Sequence, residues 1–252
     1  MKTLDLARLA PLAIPHTLSK TGWLSRQPDE FRERMASIGR WRNFRAGQNL
    51  YESGDEADAL FGLEMGLLDI SIPVSDDLMV HMHRAGPGFW IGDSALLAEQ
   101  PRVVSVHAHV DSLVFAIPAA PLRRLLAQRP QDLLYFYRLN HANIALVLQG
   151  YAEVLALPPR VRFARMLLRL AAPDGLIQAT QSELGGMVGM SRAAFRRALC
   201  GLIAAGIVRT EYCKVWIVDR AGLEDAAAGF CALRRMAWLR TLRSRSPGRS
   251  GR

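Results

Sequence analysis

Residues 178–209 read QATQSELGGMVGMSRAAFRRALCGLIAAGIVR, and the order of caps, turn and arginines within them decides the fold. Thr180 with Glu183 three residues on fits the reciprocal S/T-x-x-E capping box, which predicts a helix starting at Thr180 or Gln181. Leu184, Met187 and Val188 then recur with the helical period and mark one buried stripe. Gly189 stops that helix, and Ser191 is placed to cap a second. The second helix sorts its residues by side: Phe195, Leu199 and Leu202 inward, Arg192, Arg196 and Arg197 outward. Two helices joined by a tight turn, with arginines opening the second, form a pattern that suits the DNA major groove. There a guanidinium grips guanine O6 and N7 together, or a phosphate. A plain amphipathic helix with a solvated arginine face would account for the arginines but not for the coincident caps and turn.

Charge is distributed in the same sense. Residues 1–155 carry 15 basic and 17 acidic side chains, residues 156–225 carry 10 and 6, and the remainder holds seven arginines with no acid. Positive charge therefore gathers at the end that carries the helix pair, as a polyanion partner requires. The arginine tail itself reads as a solvated, disordered segment. The three cysteines, Cys200, Cys213 and Cys231, lie far apart with none in the first 199 residues. That spacing excludes an N-terminal iron–sulfur cluster and implies no disulfide framework. The first residues make a poor signal peptide and no apolar run is long enough to span a bilayer, so a soluble, cytoplasmic chain is expected.

Between Arg40 and Pro118 the apolar period changes to two, punctuated by glycines. Strands are predicted at Trp41–Phe44, Asn49–Tyr51, Ala59–Leu63, Leu67–Ile72, Leu78–His83, Val103–Ala108 and Leu113–Ile117, the signature of a sandwich or jelly roll. Helices are predicted at Pro28–Ile38, Pro121–Gln128, Gln131–Leu155 and Arg162–Ala172, with a hairpin wing over Val208–Val218. The long helix carries a roughly heptad apolar stripe, interrupted by Asn140, that suits a dimer seam. Leu157-Pro158-Pro159 breaks it and marks a hinge. The expected organisation is a sensor domain over residues 1–130, a dimerisation helix and hinge over 131–157, a winged helix-turn-helix over 158–222, and a tail over 223–252. The fold class is α+β.

This order of parts resembles the CRP/FNR superfamily, through RAGQNLYESGDEADALFGLEMGLLDI (45–70), GPGFWIGDSALLAEQPRVVSV (86–106) and QSELGGMVGMSRAAFRRAL (181–199). The resemblance implies a homodimeric transcription regulator with an effector-sensing β-roll like that of cyclic-nucleotide-binding domains. Its winged helices would bind a palindromic operator with half-sites about one DNA turn apart, and RNA polymerase becomes a further partner to consider. The family's S-R-E-x-x-x-R recognition pattern reads Ser191-Arg192-Ala193-Ala194-Phe195-Arg196-Arg197 here. Arg192 and Arg197 would read bases. Arg196, with Thr180, Gln181 and Ser191, would hold phosphates. Ala193, standing where the family has glutamate, offers only apolar contact and implies a different preferred base pair.

The middle stretch resembles the family's cyclic-phosphate cassette, which assigns Gly92, Asp93, Arg102, Val103 and Ser105 to an effector pocket. Asp93 replaces the glutamate that takes the ribose hydroxyl, and Val103 and Val104 replace small residues beside the phosphate. The long helix reads Ala145-Leu146-Val147-Leu148-Gln149 where cyclic-AMP-dependent regulators supply hydroxyls to the adenine. A buried phosphate without its polar partners is costly, so the departures argue against cyclic AMP. Arg102 is then expected to pair with Asp93 inside the roll. The alternative is a cyclic-nucleotide-responsive receptor with ligand held by Asp93 and Arg102.

Two i,i+2 histidine pairs, His81/His83 and His107/His109, are expected to face outward from their strands, with Val80 and Met82, and Val106 and Ala108, inward. Neither a metal site nor haem is expected, and no cofactor is implied. Cys200, one turn beyond Arg196, is a candidate redox-sensitive thiol. No Ser/His/Asp set, phosphate loop or carboxylate pair stands at usable spacing, so no enzymatic site is indicated.

Overall fold

Short β-segments separated by turns pair into two four-stranded antiparallel sheets. The computed structural model describes residues 16–75, 78–172 and 174–228, and the chain divides after Leu148 into two units. In the first, β1 (Arg40–Phe44), β8 (Ser112–Pro118), β3 (Ala59–Met65) and β6 (Trp90–Ile91) form one sheet in that spatial order. The second sheet runs β2 (Asn49–Tyr51), β7 (Ser105–Ala108), β4 (Leu68–Ser75) and β5 (Leu78–Ala85). Phe44, Tyr51, Phe61, Leu63, Leu68, Val106 and Val114 share the apolar core of this roll.

The central strands of the first sheet, β3 and β8, are buried on both faces. Leu60, Phe115 and Ile117 belong to a second core, with helices α1 (Asp29–Ile38), α3 (Ala119–Gln128) and the start of α4 (Leu133–Ala156). Burial on both sides explains why β3 and β8 read as continuous apolar runs rather than alternating ones. Trp23 anchors that second core: its ring meets Phe31, Trp90 and Phe136 at centroid distances of 5.2–5.7 Å, and its indole N–H donates to the Tyr135 carbonyl at 2.8 Å.

Several elements depart from expectation. The two-residue β6 and three-residue β9 (Leu176–Gln178) are too short to carry a period, and α2 (Asp93–Ala98) is a six-residue helix inside the cassette. Val103 and Val104 lie outside β7, which starts at Ser105. The second unit's first helix, α5, starts at Pro159 because proline needs no amide donor in a first turn.

The histidine pairs follow a different rule from simple alternation. Ile70 pairs with His83 and Ser71 with His81, so Met82 is an extra residue in a β-bulge. The bulge turns His81 to the Asp69 face and leaves His83 beside the Phe89 ring, 5.4 Å away. Val80 and Met82, expected inward, are 37% and 46% exposed, whereas Val106 and Ala108 are buried as expected.

In the second unit α5 (Pro159–Leu170), α6 (Gln181–Val188) and α7 (Arg192–Ala204) pack on a three-stranded sheet ordered β10 (Val208–Glu211), β11 (Lys214–Ile217), β9. Phe163, Leu167, Leu184, Phe195, Leu199 and Val215 form its core. Residues 220–228 are helical, and Leu223 and Ala227 are buried in that core. The packed unit therefore continues past residue 222, where a tail was expected to begin. The remaining arginine-rich residues and Cys231 lie outside the described residues.

Candidate nucleic-acid interface

The two helices of the 181–204 segment are set by their caps. Thr180 Oγ1 accepts from the Glu183 amide at 3.2 Å while Glu183 accepts from the Thr180 amide at 2.6 Å, closing the capping box. Gly189, at φ 62°, ends α6 in the left-handed conformation glycine adopts without steric penalty, and the Met190 amide reaches back to the Gly185 carbonyl. Ser191 Oγ then accepts from the Ala194 amide at 3.3 Å and starts α7. The turn sits between two satisfied helix ends, so the direction of α7 is held by hydrogen bonds as well as packing.

Phe195 and Leu199 anchor α7 from beneath, with Phe195 meeting Phe163 edge-on at 5.1 Å. Leu202, expected inward with them, is half-buried at the rim. Arg192, Ala193, Arg196 and Arg197 are all exposed, as are Gln181 and Ser191. Thr180 is half-buried; its hydroxyl oxygen is committed to the cap, which leaves its O–H free to donate. The exposed side of α7 thus offers three guanidiniums and, at Ala193, only a methyl group. Cys200 is exposed on the same face, one turn past Arg196 and Arg197.

The hairpin adds residues the sequence reading did not single out. Glu211 pairs with Lys214, leaving Tyr212 and Cys213 as a two-residue turn. Tyr212 is 94% exposed, and Cys213 holds φ 54°. Of the two turn residues only Cys213 takes positive φ, at the position that a type II turn usually gives to Gly or Asn. An exposed aromatic at such a tip was the available signal. A groove of about 300 Å³ runs between the start of α6 and this tip, lined by Thr180, Gln181, Tyr212 and Lys214.

In the first unit, the expected effector residues do not assemble as expected. Arg102 is 3% exposed, and it does not pair with Asp93. Its guanidinium donates to the Gly92 carbonyl at 3.1 Å, the Ala59 carbonyl at 2.6 Å and Asp58 Oδ1 at 3.3 Å, and lies 4.2 Å over the Tyr51 ring. Gly92, at φ 102°, is required twice: a Cβ there would stand 2.5 Å from Arg102 Nη1. Asp93 is held instead by α4, whose Asn143 Nδ2 donates to Asp93 Oδ1 at 3.1 Å and to the Trp90 carbonyl at 3.2 Å. Burial pushes the Asp93 carboxyl above the usual range, further than hydrogen bonds from Asn140 and Asn143 pull it back. Burial likewise raises the Tyr51 phenol, against the nearby Arg102 charge. Ser105 accepts from the Ser53 amide at 3.0 Å, and Val103 is 66% exposed.

Along α4, Tyr137, Ile144, Val147, Leu148, Tyr151, Val154 and Leu155 are each about half exposed or more, at heptad-like spacing. Its other side carries Phe136 and Leu139 into the first unit's core. Glu153, buried at the helix's far end, pairs with Arg165 at 3.2 Å and Arg169 at 2.9 Å. Among the described residues no helix is long and apolar enough to cross a membrane.

Two families match the chain, the cyclic nucleotide-binding domain over residues 41–129 and the Crp-like helix-turn-helix domain over 161–226. Together they cover more than half of it. The chain is 26% identical over 188 residues to the transcriptional regulatory protein btr of Bordetella pertussis, covering 71% of this chain and 77% of that protein. It is 28% identical over 183 residues to the cAMP-activated global transcriptional regulator Vfr of Pseudomonas aeruginosa, covering 68% and 85%. A solved transcriptional regulator of the CRP/FNR family from Thermus thermophilus shares the fold, with a TM-score of 0.64 at 22% identity over 75% of this chain and 98% of that one. With a β-roll inside the cyclic nucleotide-binding domain match, a long helix after it and a capped helix-turn-helix with a wing, the chain belongs to the CRP/FNR family of DNA-binding transcription regulators.

Proposed function

We propose that this regulator acts as a homodimer reading a two-fold operator, and that cyclic AMP is not its effector. The observation that carries the reading is the exposed face of α7, a helix capped at Ser191 and anchored by Phe195, from which Arg192, Ala193, Arg196 and Arg197 all project. Arg192 and Arg197 read base edges; Arg196, Thr180, Gln181 and Ser191 hold phosphates, and Ala193 makes apolar contact only. Tyr212 and Lys214 extend the contact to the flanking backbone from the wing. The apolar stripe of α4 supplies the dimer seam, because a monomer rarely leaves so much contiguous apolar surface in water.

The direct test is selection from a random DNA library by the purified protein without added effector, at physiological salt. Enrichment of a palindrome with half-sites about 10 base pairs apart supports the reading. Binding without sequence preference and with steep salt dependence overturns it.

A second reading, a cyclic-nucleotide-responsive receptor, draws on the match of residues 41–129 and on the buried Asp93 oxygen that has no hydrogen-bond partner. Against it stands Arg102, whose donors already serve two carbonyls and Asp58 in place of a phosphate. A thermal upshift with cyclic AMP or cyclic GMP favours this second reading; none is expected under the first.

A further inference from the structure

Two helix ends in the second unit are joined by one side chain that is not part of the DNA-reading face. Residues 149–156, the last turns of α4, belong to that unit. Arg162, in the first turn of α5, donates through Nη1 to the Val154 carbonyl at 3.0 Å and, at 3.5 Å, to the Leu157 carbonyl. Its Nη2 donates to the Val188 carbonyl at 3.3 Å. The need for such a donor is written in the chain. The residue four past Val154 is Pro158, which has no amide to offer. Val188 is the last residue of α6, and the chain leaves the helix at Gly189. The guanidinium therefore stands at the C-terminal ends of two helices, where a cation is favoured, and its planar fork serves both at once.

A second link holds the same stretch of α4 from the side. Glu153 is buried between Arg165 Nη1 at 3.2 Å and Arg169 Nη1 at 2.9 Å, one turn apart on α5. A buried carboxylate keeps such partners, because separating them would leave a charge unpaired and out of water. Arg165 also donates through Nε to the Ala227 carbonyl at 3.2 Å, which fixes it from a second direction. Tyr151, Val154 and Leu155, on the same turns of α4, are all more than half exposed. This stretch thus turns its apolar stripe outward while Glu153 and Arg162 tie it to α5 and to the end of α6. Three residues past that end, Ser191 caps α7.

We propose that Arg162 is a positioning residue that sets which spacing between half-sites the protein accepts, a role that rests on the homodimer reading of a two-fold operator. It does so by fixing the end of the dimer helix to the turn that aims α7. Arg162 acts through helix ends and not on the DNA, since both its terminal nitrogens are engaged by carbonyls. Adding one base pair between half-sites moves one of them by about 3.4 Å along the duplex and turns it by about 34°. A recognition helix held firmly to the seam cannot follow that displacement and loses contacts. Without Arg162, the link at Glu153 becomes a pivot about which the end of α4 can turn, and altered spacings are accommodated.

The test is the affinity of the full chain for its selected palindrome and for the same sequence with one base pair added or removed between half-sites. The unaltered protein should disfavour the altered spacings by about tenfold or more, the size of one lost base contact. Arg162→Met keeps the stem but removes every donor, and should lose most of that preference. Its salt slope should stay at the wild-type value, because no phosphate contact is removed. Leu168→Ala weakens the same core without touching either link, and should keep the preference. Full wild-type preference in Arg162→Met, a reduced salt slope in that variant, or an equal loss in Leu168→Ala overturns the proposal. An unaltered protein indifferent to spacing overturns the two-fold reading itself, and this role with it. Should Arg162→Met not fold, Arg162→Lys decides, since one ammonium serves the two helix ends less well than the fork. An intermediate preference in that variant supports the role, and an undiminished one overturns it.

Discussion

Asp93 and Arg102, expected at the positions of a ligand-binding carboxylate and arginine, have each found a partner within the chain. For Asp93 this has a measurable sign. Its folded value is raised, so its contribution to stability is full below the unfolded carboxylate value of about 3.9 and is lost as pH rises through the folded value. Asp93→Asn keeps an acceptor for Asn143 but carries no charge, so the variant should melt above the wild type at pH 7, with the gap closing toward pH 4. Calorimetry at both pH values checks it; a lower melting point at pH 7 would show that the ionised carboxyl is stabilised in place. Ala193 makes a second prediction. Ala193→Glu restores an acceptor on the exposed face of α7, and should move the preferred base pair toward one presenting a cytosine amino group by about 1–3 kcal/mol. Repeating the library selection with the variant measures the change.

Caps and anchors act on whole helices. Ser191→Ala removes the acceptor for the Ala194 amide and should cost about 1 kcal/mol. Phe195→Ala empties the space under α7 beside Phe163 and should cost about 3–5 kcal/mol. Denaturant melts of the second unit's signals should rank the two in that order. The helix pair was legible in the sequence because each of its signals lies within six residues of the next: Thr180 with Glu183, Gly189, Ser191, then the Phe195/Leu199 spacing. The strands were legible where they are long. Trp90–Ile91 pairs through two residues only, at Phe61 and Gly62, and a period cannot be read from two residues. The bulge at Met82 was hidden for a related reason, since it is defined by what stands opposite on β4.

At the scale of the molecule, the proposed dimer and the arginine face of α7 can each be tested. Val147 and Leu148 are 53% and 60% exposed in the chain by itself. Val147→Glu should therefore yield a monomer by sedimentation and sharply weaken operator binding, while leaving the melting of the first unit nearly unchanged. A dimeric variant would exclude this face as the seam. Arg196→Ala should lower affinity almost equally across operator variants and reduce the salt slope by about one per subunit, whereas Arg197→Ala should relax specificity at one base pair.

The sequence by itself determined the α+β class, the capped helix pair with its exposed arginines, the glycine-punctuated roll and the apolar stripe of α4. All of these rest on periodicity and on contacts between near neighbours. Tertiary structure alone decided that Arg102 serves Asp58 and two carbonyls rather than Asp93, that Asn143 claims Asp93, and that Leu223 belongs to the core. It alone gathered His81, His107 and His109 around Asp69. Those partners lie about ten to fifty residues apart, and a buried polar group takes the nearest partner in space, which local spacing does not reveal.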